Sequence, residues 1–271
     1  MDNKMKDLFS IEGKIALVTG GSRGIGEMVA AGFLSYGAKV YISSRKAEVC
    51  EATAKRLADR YGKECLSIPA DLAGLKGIES LATALSEREG KLDILVNNAG
   101  ATWGAPLEEF PEVGWDKVMD TNVKAIFFLT QKLLPLLRKS ASSENPARVI
   151  NIGSIDGIKT PMFENFSYGP SKAAVHHLTR VLAAHLIKEH IIVNAIAPGP
   201  FPTWMLSTGV GFGGKTEGDG VNWDMVGQGN PSGRVGSMED IAGLALFLSS
   251  RAGAYVVGHT IPCDGGMVAV S

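Results

Sequence analysis

The sequence predicts an α/β fold: a doubly wound parallel sheet of about seven strands with helices on both faces, forming a single domain over residues 1–271. Short continuous apolar runs, as expected of strands buried on both faces, alternate with longer segments of helical period. Strand then helix, repeated, is the pattern of parallel strands joined by right-handed crossovers. A length of 271 residues suits one such domain, and no fixed-period repeat interrupts it.

The first strand is Lys14 to Thr19, an Ile15-Ala16-Leu17-Val18 run that stops at Gly20-Gly21. A helix follows over Ile25 to Ser35, with Ile25, Met28, Val29 and Phe33 at helical spacing, and ends before Gly37. Lys39 to Ser43 reads as the second strand and Lys46 to Tyr61 as the second helix. Strand Cys65 to Pro69, helix Leu75 to Glu89, strand Leu92 to Asn97 and a long helix Val113 to Lys139 continue the alternation. It is completed by strand Ala147 to Gly153, helix Tyr168 to Glu189, strand Ile191 to Ile196, helix Met238 to Leu248 and a last strand over Ala254 to Cys263. One stretch breaks the pattern. Between Phe201 and Asn230, eight glycines are mixed with Phe201, Trp204, Met205, Leu206, Phe212, Trp223 and Met225 in neither period. An irregular segment this long suggests a substrate lid, here expected over residues 200–232.

Composition narrows the function. Hydrophobic residues make up 45% and charged residues 20%, enough for a large core and too few charges for a disordered chain. A net charge of −1 provides no basic field for nucleic acid or anionic lipid, so neither is expected as a partner. No apolar run reaches the ~18 residues of a membrane span. Residues 1–14 carry Asp2, Asp7 and Glu12, unlike a signal or transit peptide, and the expected location is cytoplasmic. Cys50, Cys65 and Cys263 form neither a CxxC pair nor a disulfide framework. Four of the five histidines, His176, His177, His185 and His190, lie on or just past one helix and His259 stands apart; with no HExxH, no metal site is expected.

Thr19-Gly20-Gly21-Ser22-Arg23-Gly24-Ile25-Gly26 lies between the first strand and the first helix. Glycines there allow a tight turn and close approach of the backbone to a pyrophosphate, whose charge the N–H groups of the helix N-terminus would meet. At the end of the second strand, where NAD enzymes place a carboxylate against the ribose, stands Ser43-Ser44-Arg45-Lys46. A guanidinium in place of a carboxylate favours a 2′-phosphate, hence NADP(H), and Arg23 adds a second cation. Arg45 and Lys46 also fit a solvated helix start.

Tyr168-Gly169-Pro170-Ser171-Lys172 would set Lys172 one helical turn beyond Tyr168 on the same face. A nearby ammonium favours phenolate and would bring the phenol toward neutrality. Ser154, after the fifth strand, can donate a hydrogen bond to a carbonyl oxygen gaining charge. On its own, a Tyr-x-x-x-Lys is equally an exposed helical pair.

Taken together, these segments resemble the short-chain dehydrogenase/reductase family over Ser10 to Met267. The motifs are TGGSRGIG at 19–26, Ala70-Asp71, NNAG at 97–100, Asn122, Ser154, YGPSK at 168–172, APGP at 197–200 and DGG at 264–266. The resemblance implies a Rossmann-type dinucleotide-binding and catalytic domain. In it Tyr168 would be the proton donor, Lys172 would lower the phenol pKa and hold the nicotinamide ribose, Ser154 would orient the carbonyl, and Asn122 would anchor a water-linked proton relay. Cofactor contacts would come from Gly20, Ser22, Arg23, Gly24, Ile25, Gly26, Ser44, Arg45, Asp71, Leu72, Asn98, Ala99, Gly100, Tyr168, Lys172, Pro198, Gly199 and Thr203. Asp71 would meet the adenine, Asn98 and Ala99 the adenosine side, and Thr203 the carboxamide. The family also implies a homo-oligomer, a dimer or tetramer, paired through the helices Val113–Lys139 and Tyr168–Glu189. Arg138 to Ser154 further resembles NADPH-dependent 3-oxoacyl reductases of rhamnolipid synthesis. The 14-residue step from Ser154 to Tyr168 exceeds the usual 13 and lengthens one loop of the pocket wall. The expected activity is reduction of a ketone, such as a 3-oxoacyl thioester, to a secondary alcohol. Alternatives are a carbonyl reductase or sugar/alcohol dehydrogenase of the same family and, remotely, a catalytically silent NADP-binding sensor, a class that typically loses the Tyr or Lys.

Overall fold

The structure is a computed structural model that describes residues 5, 7–161, 163–208 and 221–270. Its strands are β1 (Ile15–Thr19), β2 (Lys39–Ser43), β3 (Cys65–Ser67), β4 (Ile94–Asn97), β5 (Ala147–Ile152), β6 (Ile191–Pro198) and β7 (Thr260–Cys263). The helices are α1 (Gly24–Ser35), α2 (Ala47–Tyr61), α3 (Leu75–Ser86), α4 (Glu112–Met119), α5 (Ala125–Ser140), α6 (Tyr168–Leu186), α7 (Trp204–Thr208), α8 (Trp223–Gln228) and α9 (Met238–Ser249).

All seven strands are parallel, in the order β3-β2-β1-β4-β5-β6-β7. The winding reverses between β1 and β4, so their C-terminal ends open a crevice, the place where open α/β sheets bind ligands. One core packs α1, α2 and α9 on the sheet through Phe33, Leu34, Leu57, Leu246 and Leu248. A second packs α3, α5 and α6 on the other face through Leu81, Leu85, Leu129, Leu133 and Leu186. In the otherwise apolar centre, Asn97 Nδ2 donates to Asn151 Oδ1 (2.9 Å) and Thr130 Oγ1 (3.2 Å), and Asn151 Nδ2 donates to Thr179 Oγ1 (2.9 Å). Each buried amide thus finds a partner, and the ladder ties β4 and β5 to α5 and α6 just below the crevice.

Three expectations need correction. The long helix over Val113 to Lys139 stays helical throughout but is divided into α4 and α5 by a π-type turn at Asp120–Lys124. The last strand begins only at Thr260, because Gly258 takes φ +73° and Tyr255 stands fully exposed before it. The segment 200–232 is partly helical, holding α7 and α8, and Phe201 is core, 2% exposed, with its ring filling the space a Cβ on Gly236 would need. Phe212 lies outside the described residues.

Candidate active site

The glycine turn is built around two polar side chains. Thr19 Oγ1, at the end of β1, accepts from the backbone N–H groups of Asn98 and Ala99, each at 3.0 Å, and donates to Val96 O at 3.3 Å. Asn98 Nδ2 donates to Thr19 O (2.8 Å) and Gly20 O (3.2 Å). This amide braces the turn itself, a role the sequence did not suggest for Asn98. Gly20 has φ +65°, and a Cβ there would come 2.7 Å from Asn98 Nδ2; at Gly26 the same atom would be 2.4 Å away. Gly24 opens α1 with φ +56°, and Arg23 at the N-cap makes no side-chain cap. The first turn of α1 therefore has uncapped N–H groups facing the crevice, the arrangement that binds phosphate.

The end of β2 carries the second cofactor feature. Ser43 Oγ and Ser44 Oγ are buried and unpartnered, while Arg45 and Lys46 are exposed. Two orphaned hydroxyls beside cations and no carboxylate fit the 2′-phosphate end of NADP(H). Leu72 is buried and Asp71 is exposed, its Oδ1 accepting from Ala73 N at 3.1 Å. Across the crevice, Gly199 N donates to Cys263 O after Pro198 ends β6 (2.9 Å), and Thr203 O accepts from Leu206 and Ser207 at the start of α7.

The catalytic candidates converge at the C-terminal end of β5. Lys172 is 5% exposed; its Nζ donates to Ile152 O at 2.9 Å and lies 5.5 Å from the centroid of the Tyr168 ring. A Cβ on Gly100 would be 3.7 Å from Lys172 Nζ and 3.4 Å from Asn122 Oδ1, ordinary contact distances that place Gly100 beside both groups. Asn122 sits in the π-type turn, fully buried: its Oδ1 accepts from Ala101 N (2.8 Å) and its Nδ2 donates to Ala101 O (3.0 Å) and Ser171 Oγ (2.9 Å). Ser154 Oγ accepts from Asp156 N at 3.2 Å, which leaves its proton to donate elsewhere, and it hydrogen-bonds Tyr168.

Burial lowers Lys172 to about 8, partly opposed by the Asp156 charge. The Tyr168 phenol is pushed up, first by burial and then by Asp156, against the Ser154 hydrogen bond. This is the opposite of the direction expected from Lys172: burial and the Asp156 charge raise the phenol, and the Ser154 hydrogen bond opposes them. The raised value keeps the phenol protonated at neutral pH, as a proton donor requires.

One neighbour escaped the sequence reading, which asked of the histidines of α6 only whether they could hold a metal. His176 is 8% exposed, one turn past Lys172, with its Nε2 unpartnered and its pKa lowered to about 4 by burial and then by Lys172. A Cβ on Gly153 would come 2.2 Å from that Nε2, so the imidazole occupies the space of a missing side chain directly before Ser154. The signal was present in Gly153 and in the four-residue step from Lys172. Of the tryptophans, Trp103 packs on α4, where a Cβ on Gly114 would be 2.6 Å from its ring, whereas Trp204 is 38% exposed beside the glycine turn. Among the described residues no His/Cys/Asp/Glu group could hold a metal ion, and no helix is long and apolar enough to cross a membrane.

A parallel sheet with this reversal, a glycine turn and a Tyr-x-x-x-Lys facing it define a nucleotide-dependent oxidoreductase, and the chain belongs to the short-chain dehydrogenase/reductase family. A family model described as "Enoyl-(Acyl carrier protein) reductase" matches residues 20–268. The chain is 53% identical over 262 residues, 97% of its own length and 99% of the relative's, to the rhamnolipids biosynthesis 3-oxoacyl-[acyl-carrier-protein] reductase of Pseudomonas aeruginosa. It is 35% identical, over 96% of this chain and 97% of the relative, to the gluconate 5-dehydrogenase of Gluconobacter oxydans. Among solved structures, the RhlG/NADP active-site complex of Pseudomonas aeruginosa superposes with a TM-score of 0.89 at 52% identity, covering 96% of this chain and 98% of that one.

Proposed function

We propose that this protein uses NADPH to reduce a ketone, a 3-oxoacyl thioester or related apolar ketone, to a secondary alcohol. The observation that carries this reading is the half-buried Tyr168 set against the buried Lys172 and Ser154 at the C-terminal end of β5. When bound, NADPH supplies a hydride equivalent to the carbonyl carbon. Tyr168 donates its proton to the carbonyl oxygen as charge develops there, and Ser154 hydrogen-bonds the same oxygen. The Lys172 ammonium stabilises the phenolate that remains and holds the nicotinamide ribose, and Asn122 anchors the water-linked relay that returns a proton. Gly20, Ser22, Gly24, Ile25 and Gly26 would cradle the diphosphate, and Arg23, Ser44 and Arg45 the 2′-phosphate. Asp71, Leu72, Asn98, Ala99 and Gly100 would line the adenosine side, and Pro198, Gly199 and Thr203 the nicotinamide.

The substrate assignment is supported by the greater identity to the 3-oxoacyl reductase than to the gluconate dehydrogenase, 53% against 35%. Trp204, Met205 and Leu206 add partly exposed apolar surface at the crevice, within the lid assigned to residues 200–232 of a single domain. A homo-oligomer, dimer or tetramer, is supported by Val113, Trp115, Phe127 and Val181, all exposed on α4, α5 and α6. Free Cys50, Cys65 and Cys263 accord with a reducing, cytoplasmic setting.

The test is kcat/KM with NADPH for 3-oxoacyl thioesters of increasing length, beside diacetyl and a keto-sugar. Each buried methylene contributes up to about 0.8 kcal/mol, so kcat/KM should rise about fourfold per methylene before a plateau. A profile indifferent to length, or a clear preference for the keto-sugar, would transfer the assignment to a sugar or general carbonyl reductase.

A further inference from the structure

The Arg23 guanidinium lies 4.2 Å from the centroid of the Trp204 indole. The two residues come from different sides of the crevice: Arg23 from the turn between β1 and α1, Trp204 from the first position of α7. The neighbouring positions also meet, since a Cβ on Gly24 would lie 3.3 Å from Thr203 Cγ2. Helix α7 is thus seated on the phosphate-binding turn at two adjacent points, one of them a cation on an aromatic face.

Stacking on a ring uses the face of a guanidinium, whereas phosphate recognition uses the N–H groups along its edge. The two interactions are compatible, and the first restricts the side-chain freedom that the second would otherwise have to remove. We propose that Trp204 is a positioning residue for cofactor selection. It holds Arg23 in the orientation that grips a 2′-phosphate, so an aromatic residue on the substrate side strengthens the preference for NADP(H) over NAD(H). The proposal rests on the assignment of Arg23 to the 2′-phosphate.

Trp204 is 38% exposed and makes no part of either core cluster, so its replacement leaves the fold in place, which a thermal melt verifies. The measurement is the dissociation constant of NADP⁺ and of NAD⁺, by calorimetry on protein without substrate. Trp204→Leu should weaken NADP⁺ binding about two- to fivefold, the range of an exposed cation–π contact, and leave NAD⁺ unchanged. Trp204→Phe, which retains a π face, should recover at least half of the loss. In an Arg23→Ala background, Trp204→Leu should have no further effect, as expected of two residues acting through one contact. Equal weakening of both cofactors, an unchanged NADP⁺ affinity, or a loss that persists without Arg23 would overturn the role of Trp204. An Arg23→Ala variant with an unaltered NADP⁺/NAD⁺ ratio would instead overturn the Arg23 assignment beneath it.

Discussion

Lys172→Met should make the protein more stable at neutral pH while abolishing most of its activity. The Lys172 side chain is buried, and its pKa falls from an ordinary 10.5 to about 8 chiefly because of that burial. At about 1.4 kcal/mol per pH unit, holding this lysine charged at pH 7 costs the folded state about 3 kcal/mol. Methionine fills a similar volume without charge, but it leaves Ile152 O without its 2.9 Å donor, a loss of about 1–2 kcal/mol. The net gain is about 1–2 kcal/mol, or roughly 2–6 °C in Tm for a chain of this size. The pH dependence gives the stricter test. Between pH 8 and 10.5 the unfolded chain still binds the proton that folded Lys172 has released, so wild-type stability rises with pH and the gap to the variant closes. Lys14, also lowered to about 8, contributes equally to both proteins and cancels. Thermal melts of the cofactor-free proteins at pH 7 and pH 10 measure both quantities. A variant less stable than wild type at pH 7, or a gap independent of pH, would refute the reasoning.

Tyr168→Phe should lower kcat by about 10² to 10⁴ with NADPH affinity nearly unchanged; near-normal turnover removes Tyr168 from proton transfer. Ser44→Asp should narrow or reverse a preference for NADPH of at least about tenfold in kcat/KM, by setting a carboxylate against the 2′-phosphate. Equal use of NADH by the unmodified protein would defeat the Arg45 assignment. Gly153→Ala should cost about 1–3 kcal/mol, since its Cβ would fall 2.2 Å from His176 Nε2, and His176→Ala in the same chain should recover most of it. Additive losses in that double-variant cycle would show that the two positions are not coupled.

The alternation of apolar runs and helical segments sufficed for the central strands because β1, β2, β4, β5 and β6 are almost wholly buried and leave a continuous apolar signature, whereas the edge strands β3 and β7 are half-exposed and leave a weaker one. That Tyr168, Lys172, Ser154 and Asn122 would lie near one another was legible because the family's motifs mark those positions, and the sheet brings their elements to one end. The break between α4 and α5 was not, since Asp120–Lys124 keeps every residue helical and changes only the hydrogen-bond step, which no composition records. Nor could spacing reveal the direction in which the Tyr168 phenol shifts: a sequence displays the neighbouring charge of Lys172 but not the loss of water around both groups. His176 was missed for a related reason. Its burial is created by the absent side chain of Gly153, a residue on another element.

The π-type turn at Asp120–Lys124 also constrains how this chain can change length. The wider turn holds one residue more than an α-helical turn, so deleting one there would restore an ordinary helix with α5 still in phase, whereas a deletion in the regular helix on either side would rotate what lies beyond it by about 100°. The first change would keep Leu129, Leu133, Leu136 and Leu137 on the sheet but draw Asn122 away from Ala101; the second, made at the start of α5, would turn those leucines away together. The segment therefore tolerates loss of a residue better than the helices beside it, and a library of single-residue deletions through α4 and α5 should retain the most folded protein, with activity lost, at these five positions.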